Sequence, residues 1–371
     1  MLFYLTNSLI VSETDADYNS VIRSAKYLAM AFMEKSHLLR GDYQVLSWLA
    51  VQFEKVDRET CRVYRMLVNK YSTFTIPNFI HSYISVIKGI PETSSISENG
   101  CTIRPICHKY FLDSSKIQKM VIVGEALYDV DFYTFITEQY VSKHKINVLL
   151  SRESENGGGT GVAQTTTKYI NKHCMVASII DSDSKYKGHK SSAGTTRYIC
   201  EKEWTSYHVV NEIFFYKILE VQEIENLIPP NFIDAMNLWT GQNAKNKNVY
   251  DKLAGSDNAD EILPYYDLKV GLIKDEIMNS NDSYLDYVMN CCKCLGLEYT
   301  KEELKGLPNG TVICNGLLKG LMKATIDYIN KNKKDSIPLE PVLLTYQAQG
   351  WEDIASFMLD MCCAENIELV I

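Results

Sequence analysis

Four acidic residues stand where a fold can bring them together. Glu125 follows directly on the apolar, β-branched run Lys119-Met120-Val121-Ile122-Val123-Gly124, and Asp129 comes four residues later. Asp181 and Asp183 follow a similar run, Met175-Val176-Ala177-Ser178-Ile179-Ile180, as Asp181-Ser182-Asp183. Alternate residues of an extended chain point the same way, so these last two carboxylates are expected side by side. Like charges so placed repel unless a cation shares them. Hard oxygen ligands suit Mg2+ or Mn2+, which few carboxylates hold together with water and phosphate oxygens. The matching chemistry is phosphoryl transfer or phosphodiester cleavage with one or two metal ions. Glu125, Asp181 and Asp183 are the candidate catalytic residues and, with Asp129, candidate metal ligands. A plainer reading stands beside this one. Asp is common in loops after strands, and Glu125 or Asp129 is well placed to cap a helix start.

The elements that must position these acids read as α/β. Lys119 to Gly124, Ile146 to Leu150 and Met175 to Ile180 are short apolar runs expected as buried strands. Helical periods run from Asp129 to about Val141 and from about Val162 to Lys172. Strand–helix–strand–helix–strand predicts a parallel sheet covered by helices, and functional groups gather at the carboxyl ends of such strands. The loop Asn156-Gly157-Gly158-Gly159-Thr160-Gly161 precedes the second helix. The N–H groups around Gly158 and Gly159 could cradle a phosphate, or the loop could simply turn the chain. It is not a Walker A loop, because no Gly-Lys-Ser/Thr follows.

With these motifs in place, Val121 to Asp129 and Ser178 to Asp183 resemble the TOPRIM domain of topoisomerases, primases and OLD-family nucleases, over roughly residues 119–228. That family places a Glu after its first strand and Asp-x-Asp after its third. Ala126 stands where many members have Gly. Within the family the chain is similar to the standalone nuclease subunits that bacterial antiphage systems pair with an ABC-type ATPase, such as the AriB-type effectors of PARIS. Ile224-Glu225-Asn226 matches their I-E-N segment, which implies that Glu225 is a further metal ligand and that Asn226 orients it. The resemblance implies a Mg2+- or Mn2+-dependent endonuclease cleaving DNA or RNA, with an ATPase partner.

The expected architecture is a central TOPRIM-like, Rossmann-like parallel sheet at residues 116–230. Mostly helical regions at 1–115 and 231–371 flank it. A Gly-, Pro- and Ser-rich stretch from Gly89 to Gly100 marks a linker, and 206–228 reads as helical or mixed. The helical flanks are unneeded for TOPRIM chemistry and could dock on an ATPase or on another copy, which leaves a latent assembly subunit as the alternative. A primase- or topoisomerase-like enzyme is the minor alternative.

Thirty-eight basic against forty-six acidic residues give a net charge of −8, which excludes a protein that coats nucleic acid by bulk charge. Local excesses remain. Lys185, Lys187, His189, Lys190 and Arg197 follow the Asp-x-Asp. Lys168, Lys172 and His173 flank the same strand, and Arg104, His108, Lys109, Lys116 and Lys119 precede Glu125. They suit a phosphate-backbone track, with Tyr186 and Tyr198 available for base stacking. The eleven cysteines are an odd count with two adjacent pairs. They are expected as reduced, mostly buried thiols of a cytoplasmic protein. No run approaches the ~20 apolar residues of a membrane helix, and the N-terminus reads as a structural element.

Overall fold

The computed structural model describes residues 1–73, 75–190, 192–205, 213–278 and 282–366, with 277 and 278 by backbone alone. Strands β1 (Leu2–Leu5), β2 (Leu38–Gly41), β3 (Ser82–Ile87), β4 (Ile96–Glu98) and β5 (Cys101–Cys107) form a sheet in the order β2-β1-β3-β5-β4. All its pairings are parallel except β4 on β5. Helices α1 (Tyr18–Met33), α2 (Tyr43–Phe53) and α3 (Arg58–Asn69) carry apolar stripes, with Val21, Ala25, Leu28 and Phe32 of α1 buried. The expectation of a mostly helical N-terminal region is therefore corrected. Strands β1 and β2, with four residues each, are too short for a period to register beside the helices. The expected linker is a hairpin. Asn99 and Gly100 sit at φ 49° and 78°, the paired left-handed residues that a tight hairpin turn needs, and β4 folds back on β5.

The central segment comprises β6 (Met120–Gly124), α4 (Leu127–His144), β7 (Val148–Leu150), β8 (Arg152–Asn156), α5 (Val162–Asn171), β9 (Val176–Ile180), α6 (Thr196–Trp204) and β10 (Phe214–Ile218). Four of its strands form an all-parallel sheet in the order β10-β9-β6-β8. Every residue of β6 and β9 is buried, as continuous apolar runs demand. One expectation is corrected. The apolar run ending at Leu150 leaves this sheet as β7, and the strand beside β6 is instead the polar Arg-Glu-Ser-Glu-Asn of β8. An edge strand faces solvent, so nothing selects an apolar run there. The stretch read as helical or mixed contains β10, held by Trp204 against Phe214 and Tyr216. Its residues 206–212 lie outside the described residues.

The remaining chain is largely helical, as expected. It holds α7 (Pro230–Ala235), α8 (Gln242–Ala254), α9 (Ala259–Ile262), β11 (Gly271–Ile273), α10 (Lys274–Met278), α11 (Asp282–Cys294), α12 (Lys301–Gly306), β12 (Val312–Asn315), α13 (Leu321–Lys334), α14 (Thr345–Cys362) and β13 (Cys363–Glu365). β11 and β12 pair antiparallel, and β13 pairs with β7. All eleven cysteines are free thiols. Among the described residues no helix is long and apolar enough to cross a membrane.

Helix α14 packs on α4 through Trp351, whose ring lies 6.0 Å from both Phe132 and Phe135. Its indole Nε1 donates to Leu227 O at 2.9 Å. Trp351→Ala is expected to cost about 3–5 kcal/mol. Urea unfolding of the full chain measures it, and a loss under about 1 kcal/mol would show that this contact does not hold the two helices.

Candidate active site

Glu125 lies in the step between β6 and α4. The chain is tight here, for a Cβ on Gly124 would sit 2.8 Å from Val130 Cγ2. The glycine loop braces the step from the neighbouring strand. Gly157 N donates to Gly124 O at 2.8 Å, and Gly158 N and Gly159 N donate to Glu125 O at 3.0 and 3.1 Å. A phosphate cradle at Gly158 and Gly159 is thereby corrected, because both N–H groups are already committed to Glu125. Ala126 is extended at φ −133°, so glycine is not required there.

The Glu125 carboxylate joins the acid-bearing segments. Its Oε1 accepts from Asp181 N at 3.3 Å and its Oε2 from Thr196 Oγ1 at 3.2 Å. Asp181 Oδ1 accepts from Ile224 N at 2.9 Å. Asp183 Oδ2 accepts from Arg197 N at 3.4 Å, in the first turn of α6. The side-by-side placement of the two aspartates is corrected. Asp183 adopts φ 54°, a left-handed conformation that Asp tolerates better than most residues, and its carboxylate turns to a different partner. Asp129 caps α4, its Oδ2 accepting from Ala126 N at 2.7 Å, so the plainer reading holds for that oxygen.

Glu225 sits in a single 3-10 turn, Ile224–Leu227. Its Oε1 lies 3.0 Å from Lys269 Nζ, and Glu223 Oε1 lies 3.3 Å from the same ammonium. The other oxygen of each, Glu223 Oε2 and Glu225 Oε2, is buried with no hydrogen-bond partner. Asn226 fixes this turn. Its Oδ1 accepts from Glu223 N at 2.9 Å, and its Nδ2 donates to Leu263 O and Tyr266 O at 2.7 and 2.8 Å. The same side chain thus ties the acidic turn to the segment that delivers Lys269.

Burial and mutual repulsion dominate the electrostatics. Burial pushes Asp129 up to about 7, against the Ala126 N–H, with Glu225 and Glu125 adding to the rise. Burial and then Glu225 push Glu223 up to about 7. Glu125 is raised by burial and by Asp183, and Asp181 is raised well above the carboxylate range by burial, Glu125 and Glu225. Asp183 is raised by burial, against the Arg197 N–H. Burial alone would lower Lys269, yet Glu225 and Glu223 hold its ammonium above the usual range.

Among the described residues no three acidic, histidine or cysteine side chains are drawn in as a ready-made ligand set. The carboxylates hold N–H donors and Lys269 instead. Their chemistry nevertheless fits Mg2+ or Mn2+. The donors are all hard oxygens, two are buried and bare, and the raised carboxyls are what a divalent charge would relieve. Glu125, Asp181, Asp183 and Glu225 would hold such an ion.

Sequence reasoning missed three participants. Glu223 repeats, with Glu225, the acid-x-acid spacing already noted at Asp181 and Asp183, and that signal was readable. Thr196 and Lys269 carried none, being placed by α6 and by a segment over forty residues beyond Glu225.

The basic residues divide. Lys190 and Arg197 line a groove of about 870 Å3 beside Asp183. Lys187 lines a separate cavity of about 610 Å3, and Lys185 is paired with Glu276 at 2.8 Å. Lys109 pairs with Asp17, Lys116 stacks on Tyr110, His108 is buried, and Arg104 lies over Phe215. His108 and Arg104 are thus taken up in the fold, while Lys109 and Lys116 are engaged at the surface. Lys168 and Lys172 lie over Tyr169.

A carboxyl that titrates near 7 when folded and near 4 when unfolded takes up protons on folding between those values, so its contribution to stability falls as pH rises through that window. In EDTA the melting temperature is therefore expected to fall between about pH 5 and pH 7.5, and to fall less in Asp129→Asn. Mn2+ is expected to raise it more at the higher pH. Thermal melts check both, and a melting temperature unmoved by Mn2+ at the higher pH would count against the metal fit.

No protein-family model, no curated protein and no solved structure matches the chain.

Proposed function

We propose that this protein is a Mg2+- or Mn2+-dependent endonuclease of TOPRIM type, cleaving phosphodiester bonds of DNA or RNA. One observation carries the reading. The Glu125 carboxylate, from the end of β6, rests on the backbone of Asp181, from the end of β9, while Asp181 accepts from the turn that carries Glu225. Acids from three separate segments converge at the carboxyl ends of parallel strands, where α/β sheets place their chemistry.

Glu125, Asp181, Asp183 and Glu225 are the proposed ligands. When bound, the metal supplies a Lewis acid for the phosphate and lowers the pKa of its water. The chain's own residues do the rest. Thr196 and the Asp181 N–H fix both Glu125 oxygens, the first turn of α6 orients Asp183, and Asn226 orients the Glu225 turn. Free thiols suit a reducing compartment such as the cytoplasm. An antiphage role with an ABC-type ATPase partner rests on the resemblance of the motifs alone.

A second reading has its own observation. Lys269 holds Glu225 and Glu223 where a divalent ion would compete for them. That favours a latent subunit whose acids are released by a partner or by another copy of the chain.

Glu125→Gln and Asp181→Asn keep the acceptor oxygens that Asp181 N and Ile224 N use, so both variants should fold. Each is expected to lower Mn2+-dependent cleavage of plasmid DNA or total RNA by about 100-fold or more. Thermal melts in EDTA should stay unchanged or rise, since the amide keeps the acceptor oxygen and is neutral at every pH. Full cleavage by either folded variant would refute the assignment.

A further inference from the structure

The groove beside Asp183 is built unlike a plain phosphate track. It is lined by Ser182 and Ser184 on either side of Asp183, by the loop from Gly188 to Lys190, by Arg197, Tyr198 and Glu201 of α6, and by Ile218 to Glu220 with Tyr265. Its two cations, Lys190 and Arg197, are balanced by Glu201 and Glu220, and Arg197 Nε already lies 3.1 Å from Glu201 Oε1. A backbone track calls for an excess of positive charge. A groove of mixed character suits an uncharged group beside no more than one phosphate.

Tyr198 is the flat surface on offer. It is 40% exposed on the first turn of α6, one residue beyond the Arg197 whose N–H touches Asp183. Its ring makes no aromatic contact among the described residues. Tyr186, the other tyrosine of this region, is engaged by His189 and Tyr284 and lines the other cavity. Lys190 makes no ion pair among the described residues and can meet a phosphate beside a stacked base.

Resting on the proposed nuclease reading, we propose that this groove binds one unpaired nucleotide next to the scissile phosphate, with its base stacked on Tyr198 and its phosphate met by Lys190. A base inside a duplex has both faces covered by its neighbours and cannot stack on a side chain without leaving the helix. The site therefore selects single-stranded or looped nucleic acid over duplex.

The test uses the full chain carrying Asp181→Asn, so that nothing is cut. The probe is a mixed-sequence oligonucleotide with a central 2-aminopurine, made as DNA and as RNA, single-stranded and annealed to its complement. The single strand is expected to bind with quenched fluorescence, and the duplex to bind more weakly without quenching. Adding Tyr198→Ala should weaken single-strand binding about 5- to 100-fold and abolish the quench, while Tyr198→Phe should preserve both. Equal affinity for duplex and single strand, no effect of Tyr198→Ala, or the same loss in Tyr198→Phe would each overturn the subsite. Failure of the nuclease reading looks different: no binding to any strand form, and no cleavage by the wild-type chain in Mn2+.

Discussion

Concentration of negative charge at one edge of a sheet is the constraint on which the rest of this molecule turns. Glu125, Asp129, Asp181, Asp183, Glu223 and Glu225 all feel the field of one ammonium, that of Lys269, to which Arg197 adds at Asp183. At an effective dielectric of about 20, a cation 3.0 Å from a carboxylate is attracted by about 5 kcal/mol, while desolvating each ion costs several. One ammonium can offset two carboxylates on those terms. It cannot offset six, and the carboxyls left over are driven toward their protonated forms.

The fold holds this arrangement by giving the acids donors from other segments. Glu125 is met by Asp181 N and Thr196, Asp181 by Ile224 N, and Asp183 by Arg197 N. These hydrogen bonds run between elements rather than within them, and a carboxyl oxygen accepts them in either protonation state. A carboxylate in this set is therefore also a fastener between β6, β9, α6 and the Glu223–Asn226 turn. The glycine loop does the same for the backbone, since two of its N–H groups close on Glu125 O. Bonds of this kind hold the acids in place before any ligand arrives.

Much of this was legible in the residues because buried parallel strands write themselves as apolar runs. Lys119 to Gly124 and Met175 to Ile180 became β6 and β9, and Glu125 and Asp181 follow them as read. What stayed hidden has physical reasons. β8 is an edge strand and carries a polar sequence. β1 and β2 are too short to show a period. The left-handed turn at Asp183 is a tertiary choice, fixed in part by its N–H donating to Gln222 O, and no local rule announces it. Lys269 is the clearest case, because its role depends on where the distant β11–β12 strand pair sets it down.

That strand pair changes how the C-terminal region should be understood. β11 and β12 leave no space around the segment bearing the lysine. A Cβ on Gly271 would lie 2.1 Å from Cys314 O, and one on Gly316 would lie 2.7 Å from the Lys269 carbonyl carbon. Tyr266 OH donates to Asn315 O at 2.6 Å, and Leu317 N to Leu268 O at 2.7 Å, so the strand pair and the lysine segment are tied together. Asn226 then couples that piece to the Glu225 turn, and Tyr346 and Gln347 of α14 bind the Asn226 carbonyl from the far side. A region that looks unnecessary for chemistry at the strand ends thus sets both the charge balance there and the placement of an acid. A displacement of α14 or of the strand pair that drew Lys269 away from Glu225 would leave that carboxylate without its ammonium.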